Sequence, residues 1–276
     1  MNPWLIVLMI LVAVFLLLEV LAIMQRPGSR YSDKPEEKNP MEGKKVRFVM
    51  DENDVLDADG VRGHLEAVGK TSHHAGVYER IIKRCLDVIL SFGGLVILSP
   101  LLLALSLWIA IDDPGPVLFT QKRVGKDKRY FKLHKFRSMK RSAPHDKPTH
   151  MLENPEQYIT KVGKLLRYFS LDELPQLWDI FLGNMSVIGP RPALWNQDLL
   201  TAERDKWDAN DITPGLTGWA QINGRDELEI PVKAKFDGDY AKNLNFKMDC
   251  KCFFGSLGVF LGDESVVEGK RHEGKK

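Results

Sequence analysis

Residues 170–178 read Ser-Leu-Asp-Glu-Leu-Pro-Gln-Leu-Trp, and Gly-Pro-Arg-Pro follows at 189–192. The adjacent carboxylates Asp172 and Glu173 open a segment whose leucines repeat at helical spacing. Arg191 stands between two prolines, on a backbone stiff enough to present its planar guanidinium to a phosphate. A carboxylate held close to such a cation suits chemistry at phosphorus, and Arg167 lies about one helical turn before the pair. On a helix from about residue 171, Asp172, Gln176 and Asp179 share a face distinct from the leucine stripe. Two purely structural alternatives stand beside this reading. Ser170 to Glu173 fits a capping box, in which the acids only satisfy a helix N-terminus. Arg191 fits a surface turn whose arginine pairs with an acid. Pro175 suits a cap at Ser170 poorly, which moves the helix start toward Asp172. Residues 213–225 (Thr-Pro-Gly-Leu-Thr-Gly-Trp-Ala-Gln-Ile-Asn-Gly-Arg) are dense in turn formers. They suit a loop in which backbone amides and Arg225 line a charged or planar ligand. No Walker loop, dinucleotide glycine fingerprint, zinc-protease helix or serine-hydrolase elbow is present.

The elements that must position these groups are short. Residues 117–124 alternate in part, 125–128 form a turn, and 130–136 alternate more clearly, which predicts a β-hairpin. Residues 142–155 are a polar loop. Residues 159–169 predict an amphipathic helix, with Val162, Leu165, Leu166 and Phe169 opposite Lys161, Lys164 and Arg167. Gly183-Asn184 closes the helix that carries the acid pair. The class is α+β, without the βαβ repetition of a doubly wound sheet.

Two apolar runs add a membrane to this picture. Residues 4–24 are apolar except for Glu19, long enough to cross a ~30 Å hydrocarbon core. Arg26, Arg30, Lys34 and Lys38 follow, which places residue 25 onward in the cytoplasm. The second run, residues 88–111, is uncharged and also long enough to span. Its flanks argue against crossing: residues 25–85 carry twelve Lys/Arg and residues 112–141 carry ten. Pro100 at its centre removes a backbone donor, and Ser99 can bond a carbonyl one turn back. The expected form is a re-entrant helix–break–helix with a break at Ser99-Pro100; a kinked spanning helix is the alternative. The basic, amphipathic residues 78–86 suit the headgroup layer. These features divide the chain into an anchor (1–25), a linker or accessory segment (26–77) with a possible strand at 46–50, and a domain (78–276) that includes the membrane helix at 86–111.

The 276 residues are 44% hydrophobic and 28% charged with a net charge of +2, so charge gives no reason to expect a nucleic-acid partner. Cys85, Cys250 and Cys252 are too few and too irregular for a disulfide framework and read as reduced thiols. His73-His74 reads as a solvated loop. Nothing in the pattern fixes an oligomeric state.

From about residue 78 to 267 the chain closely resembles the bacterial sugar transferases, the monotopic phosphoglycosyl transferases. The matching pieces are Lys83-Arg-Cys-Leu-Asp87, Leu98-Ser-Pro100, Pro116-Val-Leu-Phe-Thr-Gln121, Lys135-Phe-Arg-Ser-Met139, Leu171-Asp-Glu-Leu-Pro-Gln-Leu177, residues 183–192, residues 214–225 and Asp239-Tyr240. The resemblance implies transfer of a phospho-sugar from a UDP-sugar to undecaprenyl phosphate with Mg²⁺, at the cytoplasmic face of the bacterial inner membrane. It further implies a re-entrant element broken at Ser99-Pro100, contact with membrane lipid and a supply of product to downstream glycosyltransferases. It assigns Asp172 as nucleophile, with Glu173 as a helper that holds metal or positions its neighbour. Arg191, Arg167, Lys135 and Arg137 become candidates for phosphate, and Arg225 and Gln221 for the nucleotide. The anchor and residues 25–77 lie outside the family's minimal core. Two rival readings remain open: a single-step transferase whose acids bind only metal, and a non-enzymatic scaffold whose acids are caps.

Overall fold

A computed structural model of the chain describes residues 38–71, 73–143, 154–224 and 228–262. The anchor expected at 4–24, Arg225 and most of the 142–155 loop lie outside these residues. In chain order the elements are β1 (Lys44–Met50), β2 (Gly63–Lys70), α1 (Arg84–Asp112), β3 (Leu118–Val124), β4 (Tyr130–Phe136), α2 (Lys161–Tyr168), α3 (Gln176–Leu182), β5 (Ser186–Ile188), α4 (Asp198–Asp205), β6 (Gly215–Thr217), α5 (Trp219–Ile222), α6 (Ile230–Lys242) and α7 (Phe246–Gly262). The strands pair as three two-stranded sheets: β1 with β2 and β3 with β4 antiparallel, β5 with β6 parallel. Helix and sheet are mixed as the α+β pattern predicts, and the 117–136 hairpin forms in the expected place.

Helix α1 is entered through a π-helical turn at Tyr78–Lys83 and holds Pro100 in its interior. Lacking an N–H, Pro100 leaves the Val96 carbonyl without its helical donor, and the Ser99 hydroxyl donates to that carbonyl at 2.8 Å. The backbone is helical on both sides of Ser99-Pro100, where the serine hydroxyl replaces the bond that the proline removes. One side of α1 packs inward: Leu102, Leu105 and Ile109 form a buried cluster with Phe136, Val162 and Leu166. The other side exposes Ile89, Phe92, Ile97, Trp108 and Ile111. In length and composition the helix is able to lie in a membrane.

Both ends of α1 are bonded to the rest of the fold. Arg84 donates to the Ile180 and Phe181 carbonyls, each at 2.7 Å, where a cation also meets the negative end of α3. Asp87 accepts from Ser186 Oγ and the Val187 N–H, each at 2.9 Å. At the far end Asp112 accepts from the Val162 N–H at 3.1 Å. The start of α1 is also tied to α7, since Lys83 (2.7 Å) and Tyr78 (2.8 Å) both bond Asp249 Oδ2.

Residues 44–70 are more than a linker with one strand. The hairpin β1–β2 docks on α4 and on the β3–β4 turn through buried charge. Lys128, fully buried in that turn, lies 2.9 Å from Asp205 Oδ1. The other Asp205 oxygen accepts from the Val46 N–H at 2.8 Å, and Lys45 lies 3.1 Å from Asp211. At the tip of the hairpin the Ala58 N–H donates to Asn196 O (2.8 Å), and Gln197 donates to Asp59 (2.8 Å). No hydrophobic period announces β2, which explains why the sequence hides it.

Candidate active site

The acid pair is set by a sharp entry. Ser170 adopts a left-handed conformation (φ 52°), a single 3₁₀ turn follows at Leu171–Glu173, and the helical backbone continues through Pro175 into α3. The capping box does not form: Ser170, in this left-handed conformation, makes no side-chain cap bond. Pro175 is the N-cap residue of α3, and its φ of −60° is the value the proline ring imposes. Leu171 and Leu174 pack onto the cluster around Leu102, which fixes the roll of the turn. Asp172 is turned inward at 4% exposure.

Glu173 meets two cations. Its Oε1 lies 2.7 Å from Lys135 Nζ and 2.6 Å from Arg191 Nη2, and its Oε2 accepts from Arg191 Nη1 at 3.3 Å. Burial alone would raise the Glu173 carboxyl, but Arg191 and Lys135 together outweigh it and hold the group well below the usual carboxylate range. The arginine therefore does pair with an acid, but with the neighbour of Asp172, inside the site.

Three glycines let the Arg191 turn sit where it does. The Gly189 N–H donates to Thr217 O at 2.8 Å, and the Gly215 N–H donates to Pro190 O at 2.9 Å. A Cβ on Gly215 would stand 2.0 Å from Gly189 N, and one on Gly218 would stand 2.2 Å from Gly189 O. Only bare backbones approach so closely. Beyond the turn, Arg123 donates to Pro192 O at 2.9 Å, so β3 braces the same segment.

Lys135 is placed by β4, and β4 is clamped to α3 one residue earlier. Asp179, with no exposed surface, accepts from the His134 N–H at 2.9 Å and contacts His134 Nδ1 at 2.8 Å. Burial raises the Asp179 carboxyl, with His134 acting in the opposite sense. The sequence reading missed this pair. The only local sign was Asp179 on the face shared with Asp172.

The structure brings Glu173, Lys135 and Arg191 together, with the buried Asp172 as the residue next to Glu173. Arg137 is drawn elsewhere: it bonds the Asp113 carbonyl and lies 3.1 Å from the Asp113 carboxylate, at the end of α1. Its guanidinium is engaged at that helix terminus. Arg167 lies in the last turn of α2 and is engaged in side-chain interactions. Gln221, on α5, sits beside the glycine stack; its Oε1 would be 3.0 Å from a Cβ on Gly218. Among the described residues neither of its amide atoms has a hydrogen-bond partner.

Among the described residues no group of three or more His, Cys, Asp or Glu converges. Asp172 and Glu173 are two neighbouring carboxylates, and Mg²⁺ commonly takes one or two and completes its shell with water and substrate phosphates.

The family model described as bacterial sugar transferase matches residues 78–263. The UDP-glucose:undecaprenyl-phosphate glucose-1-phosphate transferase of Escherichia coli (strain K12) is 38% identical over 190 residues, 66% of this chain and 40% of that protein. The UDP-N-acetylgalactosamine-undecaprenyl-phosphate N-acetylgalactosaminephosphotransferase of Aeromonas hydrophila is 34% identical over 65% of this chain and 44% of its own length. The chain thus spans less than half the length of these two relatives. It covers 94% of the exopolysaccharide production protein PSS of Rhizobium leguminosarum bv. phaseoli, at 35% identity over 64% of this chain.

Proposed function

The chain belongs to the bacterial sugar transferase family, and from that premise we propose that it transfers a sugar 1-phosphate from a UDP-sugar to undecaprenyl phosphate, releasing UMP. The observation that carries this reading is the cluster of Lys135, Glu173 and Arg191 beside the inward-turned Asp172. The product would start a lipid-linked glycan for downstream glycosyltransferases. A UMP-release assay on the purified chain, with a panel of UDP-sugars and undecaprenyl phosphate, tests it. No UMP from any donor would remove the transferase reading and leave the scaffold.

The chemistry follows from charge. The Asp172 carboxylate attacks the sugar-bearing phosphorus; a carboxylate O–P bond forms, the P–O bond to UMP breaks, and UMP leaves with the electron pair. An oxygen of undecaprenyl phosphate then attacks the same phosphorus and releases Asp172. Attack by an anion on an anionic diphosphate is opposed by repulsion, which Arg191 and Lys135 offset at the phosphoryl oxygens. Asp172, Glu173, Lys135 and Arg191 cancel in formal charge, so the diphosphate arrives with its own charge unbalanced. A Mg²⁺ held by Asp172 and Glu173 would supply that missing positive charge. Glu173 meanwhile fixes both cations in one place before substrate binds. Arg191→Lys keeps the charge and loses the planar fork. UMP-release kinetics should show a fall of roughly ten-fold or more, since a charge-assisted bond is worth ~1.5–3 kcal/mol. Unchanged kinetics would make Arg191 a structural partner of Glu173.

We also propose that residues 4–24 anchor the chain and that α1 dips into the inner leaflet and returns. Support comes from the packing on either side of α1. The hairpin at 44–70 precedes it, and the β3–β4 turn and α4 follow it, yet they share the Lys128–Asp205 network. A full crossing would put these partners on opposite sides of the bilayer. Cysteine labels near residues 60 and 145 should therefore both be reachable only from the cytoplasm, and periplasmic labelling at 145 would sink re-entry. Pro100→Leu restores the backbone donor that proline lacks and should shift that pattern toward spanning.

A further inference from the structure

We propose that the side-chain amide of Gln176 is a substrate-binding donor, unpaired in the free enzyme and bonded to an oxygen of the phosphoryl group that Asp172 attacks. The inference rests on the transferase reading above and adds a residue to it. Gln176 is 1% exposed, and among the described residues its Nε2 has no hydrogen-bond partner. It lies four residues beyond Asp172 and three before Asp179, and all three side chains are buried.

The buried polar side chains of α3 are treated differently. Asp179 is satisfied within the protein by the His134 N–H and ring. The Gln176 nitrogen is not, although a buried donor without an acceptor destabilises a fold. A methionine has nearly the same length and carries no such penalty. A glutamine here is accounted for if its acceptor is something that enters the site. A donor calls for an electron-rich oxygen, and phosphoryl oxygens are what the proposed reaction brings to Asp172. A neutral donor also suits the place: it stabilises the crowded phosphoryl oxygens without adding to the positive charge of Arg191 and Lys135, which would quench the Asp172 carboxylate further.

Gln176→Met in the full chain, purified in detergent, separates function from structure. The melting temperature should equal or exceed that of wild type, because an unpaired buried donor is removed. The kcat/KM for UMP release should fall roughly ten-fold or more. Saturating UDP should raise the melting temperature of the variant less than that of wild type. A drop in the melting temperature without ligand would mean that the amide has a structural partner, and would overturn the proposal. Activity within about two-fold of wild type would overturn it as well. Wild type assayed in parallel keeps the two readings apart. Failure of wild type to release UMP defeats the transferase reading itself, whereas equal turnover by wild type and variant defeats only the role of Gln176.

Discussion

Asp172→Asn should fold normally and lose at least ~10³-fold of its UMP-release activity, the scale of loss when an essential nucleophile is removed. Asparagine matches aspartate in size and caps helices as well, so a capping role predicts a nearly active enzyme. The structure already weakens that alternative, since Ser170 forms no cap bond and the Glu173 carboxylate is committed to Lys135 and Arg191. Wild type supplied with UDP-sugar and Mg²⁺ but no lipid acceptor should release about one UMP per active site. The peptide carrying Asp172 should gain the mass of a phospho-sugar. Good turnover by the variant, or an adduct on another residue, would favour the single-step rival in which the acids only hold metal. Glu173→Gln should be impaired for a different reason: it weakens the hold on Lys135 and Arg191 while leaving the attacking group in place.

The second large effect concerns stability. Lys128→Met should destabilise the protein by about 3–5 kcal/mol in chemical denaturation, as removal of one partner from a buried ion pair does. Lys128 has no exposed surface, and its departure leaves Asp205 Oδ1 and Asp211 facing less positive charge in the interior. The loss should loosen the β1–β2 hairpin from α4, so protease sites at 44–70 should open first. Arg47→Gln removes an equally short pair on the same hairpin, 2.8 Å to Glu66, but that pair is exposed and screened, and its loss should matter little. If the two variants behaved alike, the buried network would not be what holds the hairpin.

The sequence by itself determined the pieces whose information is local. The acid pair, the Pro-Arg-Pro turn, the alternating 130–136 strand and the Gly183 helix stop are each contiguous patterns, and each lies where expected. A carboxylate beside a stiff arginine was legible because residue type and backbone stiffness are both local properties. Glycine spacing in 214–218 was visible too, though its meaning needed the opposing Gly189 backbone.

Tertiary structure decided which charges meet. Lys135 and Arg137 are two residues apart and looked equivalent. The strand ends at Phe136, so Lys135 keeps its strand direction toward Glu173 while Arg137 turns to Asp113 at the end of α1. Glu173 finds partners 38 and 18 residues away, and no local rule selects them from the other cations. The second strand of the 44–70 hairpin and the docking of both strands were hidden for the same reason: ion pairs and backbone bonds to distant residues hold them, and these leave no hydrophobic period in the chain. Periodicity records which side of an element is buried, whereas the partner of a buried charge is set by which elements the fold brings within a few ångströms.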